Sequence, residues 1–341
     1  NEWPIEQYLA DSDVSECIVE GIDSFTFKTS KGLLHITSVF SCEASLKDYL
    51  LLKCNTISRK NLEDGQKFRT LFFYSDPWNI TILKAPVTAH VYTVIFKKVA
   101  MAQSLNHLVD QQTLDAKTRK ILEKALELKK GILVSSSHPS VTYRLIEAMA
   151  RKFDQNELIA IAAQGTGIRL DKHHALYFYE ENEFDAPLMF QGIVSVFPER
   201  IIISNVSSNN ISECLMVNQS VSSGIIAGIR SLSSLDAFEQ IERTVQEQHK
   251  YWTSKFIHRR IYETFSLLVH VENLPKFGMR VLEIKEIAWS ETNKAKINAL
   301  VEFRPNPEDP DGGDFQHSKE GASFFKESLN NSEILRYTDV S

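Results

Sequence analysis

The sequence has 341 residues, 43% of them hydrophobic and 24% charged, a balance typical of a globular protein with two ordinary domains. Its net charge of −6 argues against a general binder of nucleic acid or anionic membranes, so no nucleic-acid partner is expected. No apolar run approaches the roughly 20 residues of a membrane-spanning helix, and no signal-peptide pattern opens the chain. We therefore expect a cytoplasmic protein.

The first hundred residues predict an α+β domain. A short helix is expected over residues 5–9 and a longer one over 46–54. Alternating apolar residues predict a pair of strands on either side of Gly21, at residues 16–19 and 24–28. Three further segments are rich in aromatic and β-branched residues and predict strands: 69–74, 79–83 and 91–97.

Residues 105–130 predict a helical linker. Most of it is a strongly amphipathic helix over 113–130, with Ile121 and Leu122 on the apolar face. Gly131 follows directly, and glycine is a common residue at the C-terminal end of a helix.

Short apolar strands alternate with helices after Gly131, which predicts a parallel sheet covered on both faces. The predicted strands are 132–134, 158–161, 200–203 and 225–229, and the predicted helices are 143–153, 187–197 and 211–219. Residues 234–260 predict a long helical stretch that comprises more than one helix. An antiparallel meander is expected at 266–271, 279–287 and 297–303. From residue 304 the chain becomes polar and rich in proline and glycine.

Five blocks of sequence, in this order, resemble blocks shared by the traffic ATPases of type IV secretion, type II secretion and tight-adherence pili. Residues 9–21 resemble the family's opening L-x-D-x-x-V-[ST]-[ED]-I-x-[IV]-x-G, and residues 79–87 resemble the segment before its interdomain linker. Residues 197–203 are similar to its R-P-[DE]-R-[IV]-[IV]-[IV]-G-E pattern. Residues 267–273 and 280–287 resemble its closing strands. The order and spacing of the blocks carry the resemblance.

The resemblance implies an α/β fold in which an N-terminal α+β sensor-like domain precedes a RecA-type P-loop NTPase domain. We expect the first domain over residues 1–99, a helical linker over 100–130, the RecA-type domain over 131–305 and a polar C-terminal tail over 306–341. The family works as a hexameric ring at the cytoplasmic face of the inner membrane. The resemblance therefore implies a ring oligomer, peripheral at that membrane. The implied partners are other secretion or pilus machine subunits, among them an active homologous ATPase and an inner-membrane platform protein.

A phosphate-binding loop needs glycines so that backbone N–H groups can wrap the phosphates, a lysine on the β- and γ-phosphates, and a hydroxyl on magnesium. The family pattern T/S-G-x-T-G-S-G-K-[ST] aligns here with Ser135, Ser136, Ser137, His138, Pro139, Ser140, Val141, Thr142 and Tyr143. All three glycines are lost, at Ser136, Pro139 and Val141. Thr142 and Tyr143 stand where the lysine and the magnesium hydroxyl belong. The resemblance thus implies a degenerate phosphate loop.

The family's other catalytic positions are altered in the same way. The glutamate of the acidic box, which polarises the attacking water, aligns with Ala162, followed by Ala163. The Walker B pair G-E becomes Ser204-Asn205, and an asparagine cannot accept a proton or hold magnesium as a carboxylate does. Arg230 takes the position of the family's histidine in the histidine box. Four separate catalytic features are therefore lost together.

We interpret these losses as a degenerate nucleotide site. They predict a pseudo-ATPase, a non-catalytic component that scaffolds or regulates a bacterial secretion or pilus assembly machine. No catalytic residue, metal ion or nucleotide cofactor is then expected. The alternative is a divergent traffic ATPase that energises secretion or pilus assembly by hydrolysing ATP with Mg²⁺, using residues from neighbouring subunits. A third class, nucleic-acid or substrate-receptor binding, requires a basic patch that the net charge disfavours.

Several polar residues have simpler explanations. His138 and the pair His173-His174 lack a second ligand cluster at metal spacing, so we expect solvated loop histidines. His270 and Glu272 alternate with valines on a predicted strand. This alternation predicts that both side chains lie on the surface.

Overall fold

The structure, a computed structural model, describes residues 3–37, 40–54, 56–64, 70–75, 77–98, 103–163, 168, 170, 174–179, 186–220, 224–290, 295–306, 313–319 and 323. The chain divides into two compact units, Asn1–Met101 and Ala102–Ser341. Each unit has a β-sheet of its own, with one hydrophobic core in the first unit and two in the second.

The first unit is built on a six-stranded antiparallel sheet in the order β3-β2-β1-β6-β5-β4. Its described elements, in chain order, are α1 (Pro4–Leu9), β1 (Glu16–Glu20), β2 (Ser24–Thr29), β3 (Gly32–Ile36), α2 (Glu43–Lys53), α3 (Thr56–Glu63), β4 (Thr70–Ser75), β5 (Trp78–Lys84) and β6 (Tyr92–Lys98). The predicted α+β fold of the N-terminal part is confirmed.

Side-chain alternation explains which strands of this sheet could be predicted. In β5, Trp78, Ile80 and Ile82 are buried while the residues between them are half-buried, so the period of two is visible in the sequence. The strand β3 was not predicted, and neither was the helix α3. β3 is an edge strand on which every residue is exposed or half-exposed, so its sequence carries no buried face.

The second unit is built on a nine-stranded mixed sheet in the order β15-β14-β13-β12-β7-β11-β10-β8-β9. Its described helices are α4 (Leu105–Asp110), α5 (Ala116–Glu127), α6 (Pro139–Ala150), α7 (Ala186–Ser195), α8 (Ile211–Ser220), α9 (Ser234–Gln248) and α10 (Ser254–Thr264). Its described strands are β7 (Ile132–Ser136), β8 (Ile159–Ala163), β9 (Ala175–Tyr179), β10 (Arg200–Val206), β11 (Gly224–Arg230), β12 (Leu267–Leu274), β13 (Gly278–Trp289), β14 (Ala295–Pro305) and β15 (Gly313–His317).

Two hydrophobic cores cover the two faces of this sheet. On β7, Ile132 and Val134 lie in one core together with α5 and α6, and Leu133 lies in the other together with α9. A strand that is buried on both faces reads as a continuous apolar run. This is why β7, β8, β10 and β11 were all predicted, and the predicted parallel sheet covered by helices is confirmed.

The two helices of the predicted linker pack in the core of the second unit. Leu105 and Leu108 of α4 and Leu122 of α5 are fully buried there. The helix predicted from residue 113 begins later, at Ala116, because the Asp115 carboxylate accepts a hydrogen bond from the Thr118 N–H at 2.8 Å and caps the helix.

The segment predicted as a tail contains a strand. β15 pairs with β14 in antiparallel register, with Phe315 opposite Phe303. Residues 307–312 and most of the chain after 319 lie outside the described residues. Among the helices that the structure describes, none is long and apolar enough to cross a membrane.

Candidate functional site

The parallel strands β8, β10, β11, β7 and β12 lie side by side in that order, so their carboxyl ends meet along one edge of the sheet. We call this line of strand ends the carboxyl edge. Open α/β sheets bind ligands at such an edge. The structure places every predicted site residue at the carboxyl edge or in the helix that starts there: Ala162 and Ala163 on β8, Ser204 and Asn205 on β10, Arg230 on β11, and Ser135 to Tyr143 from β7 into α6.

The connection between β7 and α6 is very short. The strand ends at Ser136 and the helix begins at Pro139, so Ser137 and His138 alone join the two elements. The N–H of His138 donates to the Ser136 hydroxyl oxygen at 3.1 Å, and Pro139 stands at the start of the helix, where a missing N–H is tolerated. A loop that wraps phosphates is longer and supplies several free N–H groups. This connection instead runs directly from strand to helix.

In the first turn of α6, Thr142 bonds to the backbone of the same helix, and Val141 packs in the hydrophobic core. The Thr142 hydroxyl donates to the carbonyl oxygen of Pro139 at 2.6 Å, and the Thr142 side chain is buried. Val141 is also buried in the core, while Ser140 is exposed. Tyr143 packs against the same core, and burial raises the pKa of its phenol. The position aligned with the phosphate-loop lysine is therefore turned inward.

The end of β10 is held by close backbone packing. The register between β10 and β11 shifts after Ile203, so Ser204 and Asn205 together oppose Gly228. A Cβ atom on Gly228 would lie 2.5 Å from the Ser204 carbonyl oxygen, so the strands meet there without room for a side chain. Asn210 donates from its amide nitrogen to the Asn205 carbonyl oxygen at 3.1 Å. The Walker B positions thus lie at a tightly packed irregularity of the strand β10.

The remaining predicted positions also lie along this edge. Ala162 and Ala163 are buried, one in each core, and their methyl groups offer no atom that could polarise water. Arg230 is exposed at the end of β11 and pairs in register with Ser136. The next residue, Ser231, donates a hydrogen bond from its backbone N–H to the Ser136 carbonyl oxygen at 3.1 Å.

The predicted surface position of His270 and Glu272 is wrong. His270 is only 3% exposed, because β12 is an internal strand that lies between β7 and β13. Its Nδ1 atom lies 2.9 Å from the Ser135 hydroxyl oxygen. Burial, the largest effect, lowers the pKa of His270, although the nearby carboxylates of Glu272 and Glu283 raise it in part.

Glu272 contacts the connection between β7 and α6 directly. Its Oε1 atom accepts a hydrogen bond from the Ser137 backbone N–H at 2.5 Å, and its Oε2 atom accepts one from the Ser137 hydroxyl at 2.6 Å. The Nε2 atom of His270 lies 3.5 Å from Oε1 of the same carboxylate. The sequence analysis missed this cluster because the parallel register of β7 and β12, which pairs Ser135 with His270, is not visible in either strand alone.

A second carboxylate lies beside the cluster on β13. Glu283 pairs in register with His270 and accepts hydrogen bonds from the N–H and the hydroxyl of Ser234 at the start of α9, at 2.8 and 2.5 Å. Burial raises the pKa of Glu283, but its bonds to Lys285 and Ser234 outweigh that effect, and the pKa is lowered overall. The groups at this end of β7, β12 and β13 therefore satisfy one another.

Metal ligands were not predicted, and the described part of the chain holds no group of three or more His, Cys, Asp or Glu residues placed to bind a metal ion. His138 and His174 are exposed. His173 lies outside the described residues.

No family model and no curated protein matches the sequence, but many solved structures match the fold. The chain is similar to the Legionella pneumophila ATPase DotB, with 13% identity and a TM-score of 0.58 over 85% of this chain and 80% of that one. It is also similar to the pilus retraction motor PilT with bound ADP, with 7% identity and a TM-score of 0.56 over 98% and 89% of the two chains. For the Yersinia pseudotuberculosis ATPase DotB the identity is 11% and the TM-score 0.52, over 98% and 84%.

The chain has the fold of these ATPases and of this pilus retraction motor. The predicted fold class, an α/β fold with an N-terminal α+β domain followed by a RecA-type domain, is thereby confirmed. The residues that align with the family's phosphate-loop pattern run from the end of the strand β7 into the helix α6. The chemistry of this chain must then be argued from its own residues, since one fold serves many functions.

Proposed function

We propose that this chain is a non-catalytic component, built on the traffic-ATPase fold, that scaffolds or regulates a bacterial secretion or pilus assembly machine. The observation that carries the proposal is the connection between β7 and α6. It is two residues long, and the carboxylate of Glu272 already accepts the hydrogen bonds of Ser137. A negative charge at this place repels the phosphates that an ATPase must hold.

The other groups at the carboxyl edge support the same proposal. ATP hydrolysis needs a cation on the phosphates, a carboxylate on Mg²⁺ and a group that positions the attacking water. Here Thr142 is bonded within its own helix, Ala162 has no polar side-chain atom, and Asn205 stands at the Walker B position. These residues do not fit ATP-Mg, so we propose that the chain requires neither ATP nor Mg²⁺.

The proposed role in assembly follows from what the chain keeps. Both cores of the second unit are closely packed on the same strands whose ends lack ATPase chemistry. A fold kept without its chemistry is useful as a surface for other subunits. We place its partners among secretion or pilus machine subunits, including an active homologous ATPase and an inner-membrane platform protein. We also propose a ring assembly located in the cytoplasm, peripheral at the inner membrane.

Two measurements on the full chain test this proposal. Purified alone, the chain is expected to release phosphate from ATP-Mg²⁺ at the rate of the buffer. Affinity capture from the native host is expected to enrich recognisable secretion or pilus subunits. The rival function, a divergent traffic ATPase, predicts turnover that is lost on Arg230→Ala but kept in the matched surface variant Arg304→Ala. Such turnover, or capture without any secretion or pilus subunit, would overturn the proposal.

A further inference from the structure

The chain's own carboxylate occupies the place where the connection between β7 and α6 would meet an anion. Glu272 accepts from both the backbone N–H and the hydroxyl of Ser137, at 2.5 and 2.6 Å. Backbone N–H groups at the junction of a strand and a helix are ordinary donors to phosphate. In this chain that N–H already has a charged acceptor.

The strand register explains how Glu272 reaches this position. β12 runs parallel to β7 and pairs His270 with Ser135, and it continues past the last residue of β7 while pairing with β13. Successive residues on one face of a strand are two apart. Glu272 therefore lies on the same face as His270 and meets Ser137, which lies on the same face as Ser135.

The His270 ring lies between the Ser135 hydroxyl and the Glu272 carboxylate. Its Nδ1 atom lies 2.9 Å from the Ser135 hydroxyl, and its Nε2 atom faces the Glu272 carboxylate at 3.5 Å. If the Ser135 hydroxyl donates to Nδ1, the ring proton is on Nε2 and points toward Glu272, so one tautomer satisfies both contacts. The side chain of Glu272 is only 15% exposed, which limits competition from water.

We propose that Glu272 is a built-in anion that takes the place of a phosphate group and holds the connection between β7 and α6 closed without nucleotide. The proposal deepens the proposed function, because it names the group that closes the site. The proposal makes two predictions about Ser137. When the Glu272 carboxylate is removed, an external anion of phosphate chemistry binds in its place. When a neutral side chain of the same size fills the position, the external anion does not bind.

Three variants of the full chain separate these cases. Glu272→Ala empties the position, Glu272→Gln fills it with a neutral group that can still accept from the Ser137 N–H, and Glu302→Gln is a matched control on an exposed residue of β14. The melting temperature of each is measured in about 10 mM pyrophosphate and in sodium chloride of the same ionic strength, since a ligand that binds the folded state raises the melting temperature.

We expect Glu272→Ala to melt about 2–10 °C below the parent, because the half-buried N–H and hydroxyl of Ser137 lose their charged acceptor. Pyrophosphate restores at least half of this loss in Glu272→Ala, and it leaves the parent, Glu272→Gln and Glu302→Gln unchanged. An unchanged melting temperature in Glu272→Ala overturns the proposal. So does a loss that pyrophosphate does not restore, or an equal gain from pyrophosphate in the parent.

A second measurement covers the case in which Glu272→Ala does not fold. Amide hydrogen exchange of the peptide that contains Ser137 is compared between the parent and Glu272→Gln. We expect exchange about tenfold faster in Glu272→Gln, because a hydrogen bond to a charged acceptor is roughly twice as strong as one to a neutral acceptor. Equal exchange rates overturn the proposal. ATP turnover by the parent would refute the proposed function. The melting temperatures in pyrophosphate and the amide exchange at Ser137 would still test the role of Glu272.

Discussion

Along β7, Ile132, Leu133 and Val134 are fully buried between two hydrophobic cores, whereas Ser136 and Ser137 at its end are polar and bond to neighbouring groups. The interior of the strand supplies the free energy of packing, and its carboxyl end supplies whatever chemistry the sheet performs. The two parts are separated by two or three residues. The comparison teaches that the ends can change while the interior, and with it the fold, is retained.

The largest expected effect lies in the sheet interior. Ile202 of β10 is fully buried, so Ile202→Ala removes apolar contacts and leaves a cavity, and we expect a loss of about 2–5 kcal/mol in the free energy of unfolding. The matched control is Ile297→Ala on β14, where the side chain is half-buried and the loss is smaller. Urea unfolding monitored by circular dichroism measures both. Equal losses would contradict the assignment of the core.

The close approach of β10 and β11 at the carboxyl edge predicts the next effect. Gly228→Ala places a methyl group 2.5 Å from the Ser204 carbonyl oxygen, so the strands must separate. We expect a loss of about 1–3 kcal/mol, typical of overpacking. The control Gly192→Ala in α7 meets only the Phe178 ring at 3.2 Å, and alanine favours a helix more than glycine does. A Gly228→Ala protein as stable as the Gly192→Ala protein would show that the two strand ends have room to spare.

A smaller effect is expected from pH. Burial lowers the pKa of His270 in the folded protein below the ordinary histidine value of 6.5, and the positive charge of Lys285 lowers it further. The negative charges of Glu272 and Glu283 raise the pKa but do not outweigh the effect of burial. The unfolded chain therefore binds this proton more readily, so stability is fully present above about pH 6.5 and is lost as the pH falls below it. One proton changes stability by at most about 1.4 kcal/mol per pH unit.

The variant His270→Gln isolates this contribution, because glutamine does not titrate while the other histidines remain. Between pH 7.5 and 5.5 the melting temperature of the parent should fall further than that of His270→Gln. Parallel curves for the two proteins would mean that His270 is not buried in its neutral form.

The smallest expected effect is on activity. Thr142→Lys restores the residue type of the phosphate loop, but the short connection, Ala162 and Asn205 remain, and groups that act as one catalytic unit are strongly non-additive. We expect ATP turnover to stay at the buffer rate. Phosphate release is measured beside Thr142→Val, which keeps the size of the side chain and adds no charge. Turnover in Thr142→Lys alone would mean that the carboxyl edge is nearly a complete ATPase site.

The sequence predicted the sheet interior well because its signals are local. Strands such as β10, with Ile201, Ile202 and Ile203 in a row, are apolar on both faces and stand out against helices with a period near four. The edge strand β3 has no buried face, so nothing in its residues distinguishes it from a loop. The strand β15 lies in a polar stretch and is formed by antiparallel pairing with β14, a contact that its own residues do not reveal.

The candidate site was predicted in part. The residues that the alignment selected, Ser136, Ala162, Ser204 and Arg230, lie near the carboxyl ends of neighbouring strands, because each comes directly after a run of apolar residues. The carboxylate of Glu272 could not be found in this way. Its contact with Ser137 depends on the parallel pairing of β7 with β12, two strands that lie more than a hundred residues apart in the sequence.

The central claim is that the carboxyl edge does not hold nucleotide, and thermal unfolding of the full chain with and without millimolar ATP-Mg²⁺ tests it most directly. A ligand at a hundred times its dissociation constant stabilises the folded state by about 2.7 kcal/mol, which is easily measured as a rise in melting temperature. We predict no rise beyond that given by Mg²⁺ with sodium chloride of equal ionic strength. A clear rise that depends on ATP would contradict the account.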